Sequence, residues 1–392
     1  MNKRVVSAII ILLLLFAAFV SINNPHLNSI SLYIIIPCAF CLSILLYGNP
    51  LTNNKYMQWL CVLCCWIGLT YFGAYNQIVA QDQMKAILGV ILLSSIISNL
   101  AKKTNIVLWL YLIYICLFIT AVNYAQTNIL NVIGENERAS DDVLNANLLA
   151  YYTFYVSCAI YVLGDCIKKT SLRKIMRCLF FSLIFISVWI ALITASRQVL
   201  VIQIPLISIL LIIRYGRDKR YNKLFYVILI AILFTLFSSN ILDTIFDGSL
   251  LQERYEVALD DDERAHVLRE AINVGNNHPL FGVGPGNFVL QSKHHVFSHC
   301  SYTELYANSG IPAVIIFVLM IWYYISRQLK RYRTSKDPMY LFFMFVGIFF
   351  AIDNFFYVFY PSMWLMSFFI LVASHSETYY MQQKNCNFSI TR

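Results

Sequence analysis

Several polar constellations interrupt an otherwise apolar chain, and each carries side chains able to do chemistry. In ALITASRQ (191–198), Arg197 stands at the end of one apolar run, just before the next begins. A guanidinium so close to hydrocarbon is costly unless it has a partner or faces a wet cavity. It therefore points to anion binding, with snorkelling to lipid headgroups as the alternative. In GENERASDDVLNAN (134–147), Arg138 lies among four acids, which fits a solvated loop as well as a site. Asn147 opens an apolar run and would also serve as its helix cap.

The longest polar stretch, 241–309, holds three more constellations. The spacing predicts a helix over 262–275. Asp260–Glu263 cap its positive end, Ala265, Leu268, Ala271 and Ile272 form its apolar stripe, and Gly275 and Pro279 end it. Arg264 falls in the first turn beside that stripe. The acid run could hold a divalent metal, but no spaced partner carboxylates accompany it. FGVGPGNF (281–288) lacks the Rossmann and P-loop spacings. It reads as a tight turn returning the chain to the bilayer, whose backbone N–H groups could hold an anion. Finally, Ser301 and Glu304 match a capping box, so Glu304 either caps a short helix or belongs to a site. His299 immediately precedes that helix, and Gly310 breaks it ahead of Pro312. His294, His295 and His299 match no common metal-ligand spacing, and Cys300 is a weak candidate nucleophile.

The elements that must position these residues are membrane helices. The 392-residue chain is 59% hydrophobic and 12% charged, against roughly 25% charged in soluble domains. Apolar runs of about 20 residues recur. They predict an all-α polytopic membrane protein in a single membrane domain, 1–392. Twelve spans are expected near 5–22, 30–48, 57–75, 84–100, 106–126, 145–164, 178–195, 199–214, 223–240, 310–327, 339–357 and 360–376. The first reads as an uncleaved helix rather than a signal peptide. If the N-terminus is cytoplasmic, 22 of the 29 basic residues fall on cytoplasmic connections. This positive-inside bias puts 127–147, 194–198 and 241–309 on the exterior side. The net charge of +9 then reports topology and contact with anionic membrane lipid, not nucleic acid. The cysteines fall mostly in apolar runs, and CVLCC (61–65) reads as packing rather than metal or redox chemistry. Asp353 and Asn354 would suit a flippase or transporter, but no internal repeat marks one.

The order of these motifs resembles the bacterial O-antigen ligase and O-antigen polymerase superfamily. It runs Thr194-x-Ser196-Arg197 at a span end, then Arg264, then HPLFGVGPGNF (278–288). Ser298-His299, Glu304-Leu305 and Gly310-Ile311 follow before a span. Arg138 with Asn147 is similar to a further motif of that group, so the likeness covers about 134–325. Cys300 departs from the pattern where the group often has Asn, and Pro312 where it more often has a second glycine nearby. The resemblance implies about twelve helices with a helical exterior loop. It also implies glycan transfer from undecaprenyl diphosphate, without nucleotide sugar, metal or other cofactor. The partners it implies are the undecaprenyl-diphosphate-linked glycan, an acceptor glycan or glycolipid, membrane lipid and a chain-length regulator.

The residue chemistry agrees with that implication. Guanidinium groups stabilise the charge developing on a leaving diphosphate, which assigns Arg197 and Arg264 to it. A histidine, with an ordinary pKa of about 6.5, suits removal of the acceptor proton, which assigns His299 as base. Arg138, Glu304 and Asn147 are secondary substrate-binding candidates. Polymerase is preferred to ligase because the exterior loop is compact and no separate acceptor domain is visible.

Overall fold

The computed structural model describes residues 3–23, 29–52, 54–124, 146–167, 169–194, 203–215 and 263–390. Among these the chain is all α, with thirteen helices. They are α1 (Lys3–Asn23), α2 (Ile36–Tyr47, entered through a π-helical turn Ser31–Ile35), α3 (Lys55–Thr70), α4 (Gln77–Leu100), α5 (Thr104–Tyr124), α6 (Ala146–Cys166), α7 (Thr170–Thr194), α8 (Ile204–Tyr215), α9 (Glu263–Asn277), α10 (Phe288–Gln291), α11 (Ser301–Ser335), α12 (Pro338–Asp353) and α13 (Met363–Ile390). Helix is the expected state, because lipid leaves no other partner for backbone N–H and C=O groups.

Among the described residues, five helices are long and apolar enough to cross a membrane: Lys3–Val20, Lys55–Gly73, Gln77–Leu100, Asn105–Tyr124 and Ser301–Ser335. Eleven of the twelve expected spans fall on helices, and 223–240 lies outside the described residues. Some of those helices differ in length from the expectation. Pro338–Asp353 has 16 residues, fewer than the roughly 20 needed to span untilted, while Met363–Ile390 extends to 28.

The chain divides into two compact units. The first comprises 1–14, 30–110 and 259–392; the second comprises 15–29 and 111–258. In the first, α13 packs on α4, and α11 packs on α3, α9 and α12. Small residues allow close approach: at Gly347 a Cβ would stand 2.7 Å from the Tyr324 ring, whose hydroxyl donates to the Phe343 carbonyl at 2.8 Å. Asn54 caps α3 and Asn76 caps α4, each accepting two backbone N–H groups. At the α11–α12 turn, Lys336 is left-handed (φ 55°), and Asp337 then caps α12 ahead of Pro338. The same end of α11 carries a partly buried ion-pair cluster. Arg327 and Arg331 both meet Glu377, which also accepts from the Tyr56 hydroxyl at 2.9 Å. In the second unit, α6 packs on α7. Arg214 is buried over the Tyr161 ring and pairs with Asp165 at 3.0 Å.

Candidate functional site

The site residues of the first unit gather where α11 is broken. Gly310 has non-helical torsions (φ 78°, ψ 179°), which separate a short segment, Ser301–Ser309, from the long apolar remainder. Pro312 supplies no N–H, so the carbonyls ahead of the break lose helical partners. Other segments satisfy them. The Val283 N–H donates to the Ala307 carbonyl and the Gly284 N–H to the Asn308 carbonyl, both at 2.9 Å. The Trp66 indole donates to the Ser309 carbonyl at 2.9 Å, and the Ile311 N–H donates to the Pro279 carbonyl at 2.8 Å.

The glycine-rich stretch forms the expected tight turn, and most of its backbone N–H groups have partners within the chain. Besides the two bonds to α11, the Gly282 N–H donates to the His278 carbonyl, Asn287 N–H to Gly284, and Phe288 N–H to Asn308 Oδ1. Those donors are spent within the chain. The glycines serve close backbone approach instead. Gly282, Gly284 and Gly286 all have positive φ. A Cβ on Gly282 would enter the Asn308 backbone, and one on Gly284 would enter Ala74. The turn is thus wedged between the α3–α4 connection and the break in α11. The Tyr75 N–H donates to the Val283 carbonyl, and the Asn76 N–H to Asn287 Oδ1.

His299 stands at the entry to the short segment, half-buried, with a left-handed backbone (φ 56°). A non-glycine residue there costs on the order of 1–3 kcal/mol and persists only where its surroundings impose it. Here Ser298 imposes it. The Ser298 hydroxyl donates to the Cys300 carbonyl at 3.0 Å and accepts from Thr303 Oγ1 at 3.1 Å. The imidazole packs on Phe297 with ring centroids 4.4 Å apart, and Phe297 meets Tyr357 edge-on. His294 and His295 are exposed on the preceding turn. Cys300 is 2% exposed, which disfavours it as a nucleophile.

The expected capping box does not form. The N-cap is Cys300, not Ser301. The Ser301 hydroxyl instead donates to the Tyr357 carbonyl at 3.0 Å and accepts the Phe359 N–H at 2.8 Å, tying α11 to the α12–α13 loop. Glu304, 3% exposed, reaches back past the cap to accept the Ser298 N–H at 2.7 Å. Its other oxygen accepts Asn308 Nδ2 at 2.9 Å. Asn308 also lies 3.5 Å from the Tyr360 hydroxyl. Sequence reasoning missed Asn287, Asn308 and Tyr360. The first two lay inside motifs read as turn and helix break. The available signal was two asparagines at apolar junctions and the aromatic run FFYVFYP (355–361).

Arg264 is half-buried in the first turn of α9. The stripe that packs on α11 differs from the expected one. Val267 and Ala271 are buried against Phe288 and Ala307, with Val274 beside them, while Ile272 is exposed. Gly275 lies under the Tyr306 ring. Arg264 shares the packed face, one turn beyond Val267. Arg138 and Arg197 lie outside the described residues, as do the acids 260–262. Asn147 falls in the first turn of α6, one residue inside its start, and its side chain is not described. Asp353 and Asn354, which would suit a transporter, are at the end of α12 rather than in mid-helix. The Asn354 carbonyl accepts the Ser301 N–H at 2.8 Å. Among the described residues, no three His, Cys, Asp or Glu side chains gather as a metal site requires.

These features define a helical membrane protein whose polar side chains converge at one end of a broken helix. Residues 182–318 of the 392-residue chain match the family model described as O-antigen ligase. The match includes Arg197, Arg264, His299 and Glu304. No curated protein matches the chain significantly.

Proposed function

We propose that the chain polymerises undecaprenyl-diphosphate-linked oligosaccharide repeat units for a surface polysaccharide: O-antigen, capsule or exopolysaccharide. The site faces the exterior of the bacterial inner membrane, with both termini cytoplasmic, as the basic-residue bias favours. The reaction needs neither metal nor cofactor. The acceptor hydroxyl attacks the anomeric carbon, the bond from that carbon to the diphosphate oxygen breaks, and His299 takes the hydroxyl proton. Arg197 and Arg264 stabilise the charge on the leaving diphosphate, with Arg138 and Asn147 as further substrate contacts. The observation that supports polymerisation is the compactness of 263–310. Among the described residues it packs on α11, the α3–α4 turn and the α12–α13 loop rather than forming a body of its own.

The description of the matched family favours a second reading, transfer of a finished chain to lipid A-core. Deletion in the native strain, with electrophoresis of surface glycan, separates the two. Loss of long chains with one repeat unit still attached to its acceptor supports polymerase. Loss of all attached glycan means ligase, and unchanged glycan overturns both.

A further inference from the structure

We infer that Glu304 and Asn308 act as a positioning pair that holds His299 in its left-handed conformation. This rests on the reading of His299 as the base. Four groups form one directed hydrogen-bond chain through the buried face of the short helix. The Phe288 N–H donates to Asn308 Oδ1 at 2.8 Å, and Asn308 Nδ2 donates to Glu304 Oε1 at 2.9 Å. At the far end, the Ser298 N–H donates to Glu304 Oε2 at 2.7 Å. Backbone N–H groups can only donate, so both ends of the chain are fixed. Residue 308 must accept at one end and donate at the other, which requires an amide. Residue 304 must accept twice, which requires a carboxylate. The two side chains sit four residues apart on one helical face, and both are buried.

The chain joins the two segments that meet at the site. One end grips the last residue of the glycine-rich turn. The other grips Ser298, whose hydroxyl bonds to the Cys300 carbonyl and so bridges His299. A buried carboxylate held by two charge-assisted bonds is a stiff tether. It fixes the Phe297–Ser298 peptide, one residue before a strained histidine, and so constrains where the imidazole stands. Misplacement of a reacting group by about 1 Å can cost about 10²-fold in rate.

The directed pattern has one isosteric alternative, the double variant Glu304→Gln/Asn308→Asp. There the amide introduced at position 304 accepts the Ser298 N–H through its oxygen. Its nitrogen donates to the carboxylate introduced at position 308, which still accepts the Phe288 N–H. Every hydrogen bond and the total charge survive, and the charge moves by one helical turn. Each single change instead breaks the chain. Glu304→Gln sets donor against donor, and Asn308→Asp sets two buried carboxylates together.

The test measures transfer by purified Glu304→Gln, Asn308→Asp, the double variant and His299→Ala, with lipid-linked donor at equal amounts of folded protein. The single variants should lose about 10²-fold in kcat with the donor KM unchanged, and the double variant should recover to within about tenfold of the parent. A double variant as inactive as Glu304→Gln, though equally folded, would show that the carboxylate acts directly on substrate and overturn positioning. Full activity in the singles would overturn it too. So would losses that only track the amount of folded protein. An active His299→Ala would instead sink the base assignment itself, whatever the pair does.

Discussion

His299 concentrates the residue-scale argument, because its neighbours constrain its backbone while the residue stays only half-buried. If it is the base, His299→Ala should lower transfer by about 10²–10⁴-fold without lowering protein abundance. His294→Ala and His295→Ala should stay near parental activity, since both rings are exposed. Protonated imidazole accepts no proton, so the rate should fall on acidification. A rate that rises would mean that His299 donates a hydrogen bond to the diphosphate instead. The arginines allow a second check. Arg197→Lys and Arg264→Lys keep the charge but lose the planar fork. Both variants should insert normally yet lose most activity. Parental rates in both would reduce these residues to general electrostatics.

Among the elements, the break in α11 and the glycine-rich turn form one unit, and backbone space decides its stability. A Cβ on Gly310 would enter the Leu280 carbonyl and stand 2.8 Å from that of Pro279. No rotamer change relieves a clash with backbone. Gly310→Ala should therefore lower the thermal unfolding temperature and membrane abundance sharply. Gly48 is the control: its φ is also positive (76°), yet nothing lies within 4 Å of where a Cβ would stand. Gly48→Ala should cost only the backbone strain of that glycine-favouring region, about 1–3 kcal/mol. Equal unfolding temperatures for the two variants would refute the wedge.

At the scale of the molecule, the property to test is orientation across the membrane. Cys300 is too buried to report it by labelling. Lys293 is exposed on the turn before His299. A cysteine placed at 293 in a cysteine-free background should react with an impermeant maleimide applied to intact cells. Reaction only after lysis would invert the topology, and the exterior assignment of the site would fall with it.

The sequence alone determined the helices, because a segment in lipid must satisfy its backbone internally and so announces itself by length and composition. It also determined the order of the motifs and placed Gly310 at a break. Tertiary structure decided which partners those motifs have. Spacing offered α9 the stripe 265/268/271/272, and packing against Phe288 and Ala307 kept Ala271 of it while bringing in Val267 and Val274 instead of the rest. Spacing likewise offered Ser301 and Glu304 a local box. Each found a better partner elsewhere: Ser301 in a loop 56 residues away, Glu304 in the Phe297–Ser298 peptide. Asn308 looked like a helix breaker's neighbour until Phe288, 20 residues earlier, was brought to its carbonyl. A buried polar group takes whichever partner the fold delivers, and local pattern carries no record of segments that meet only after folding.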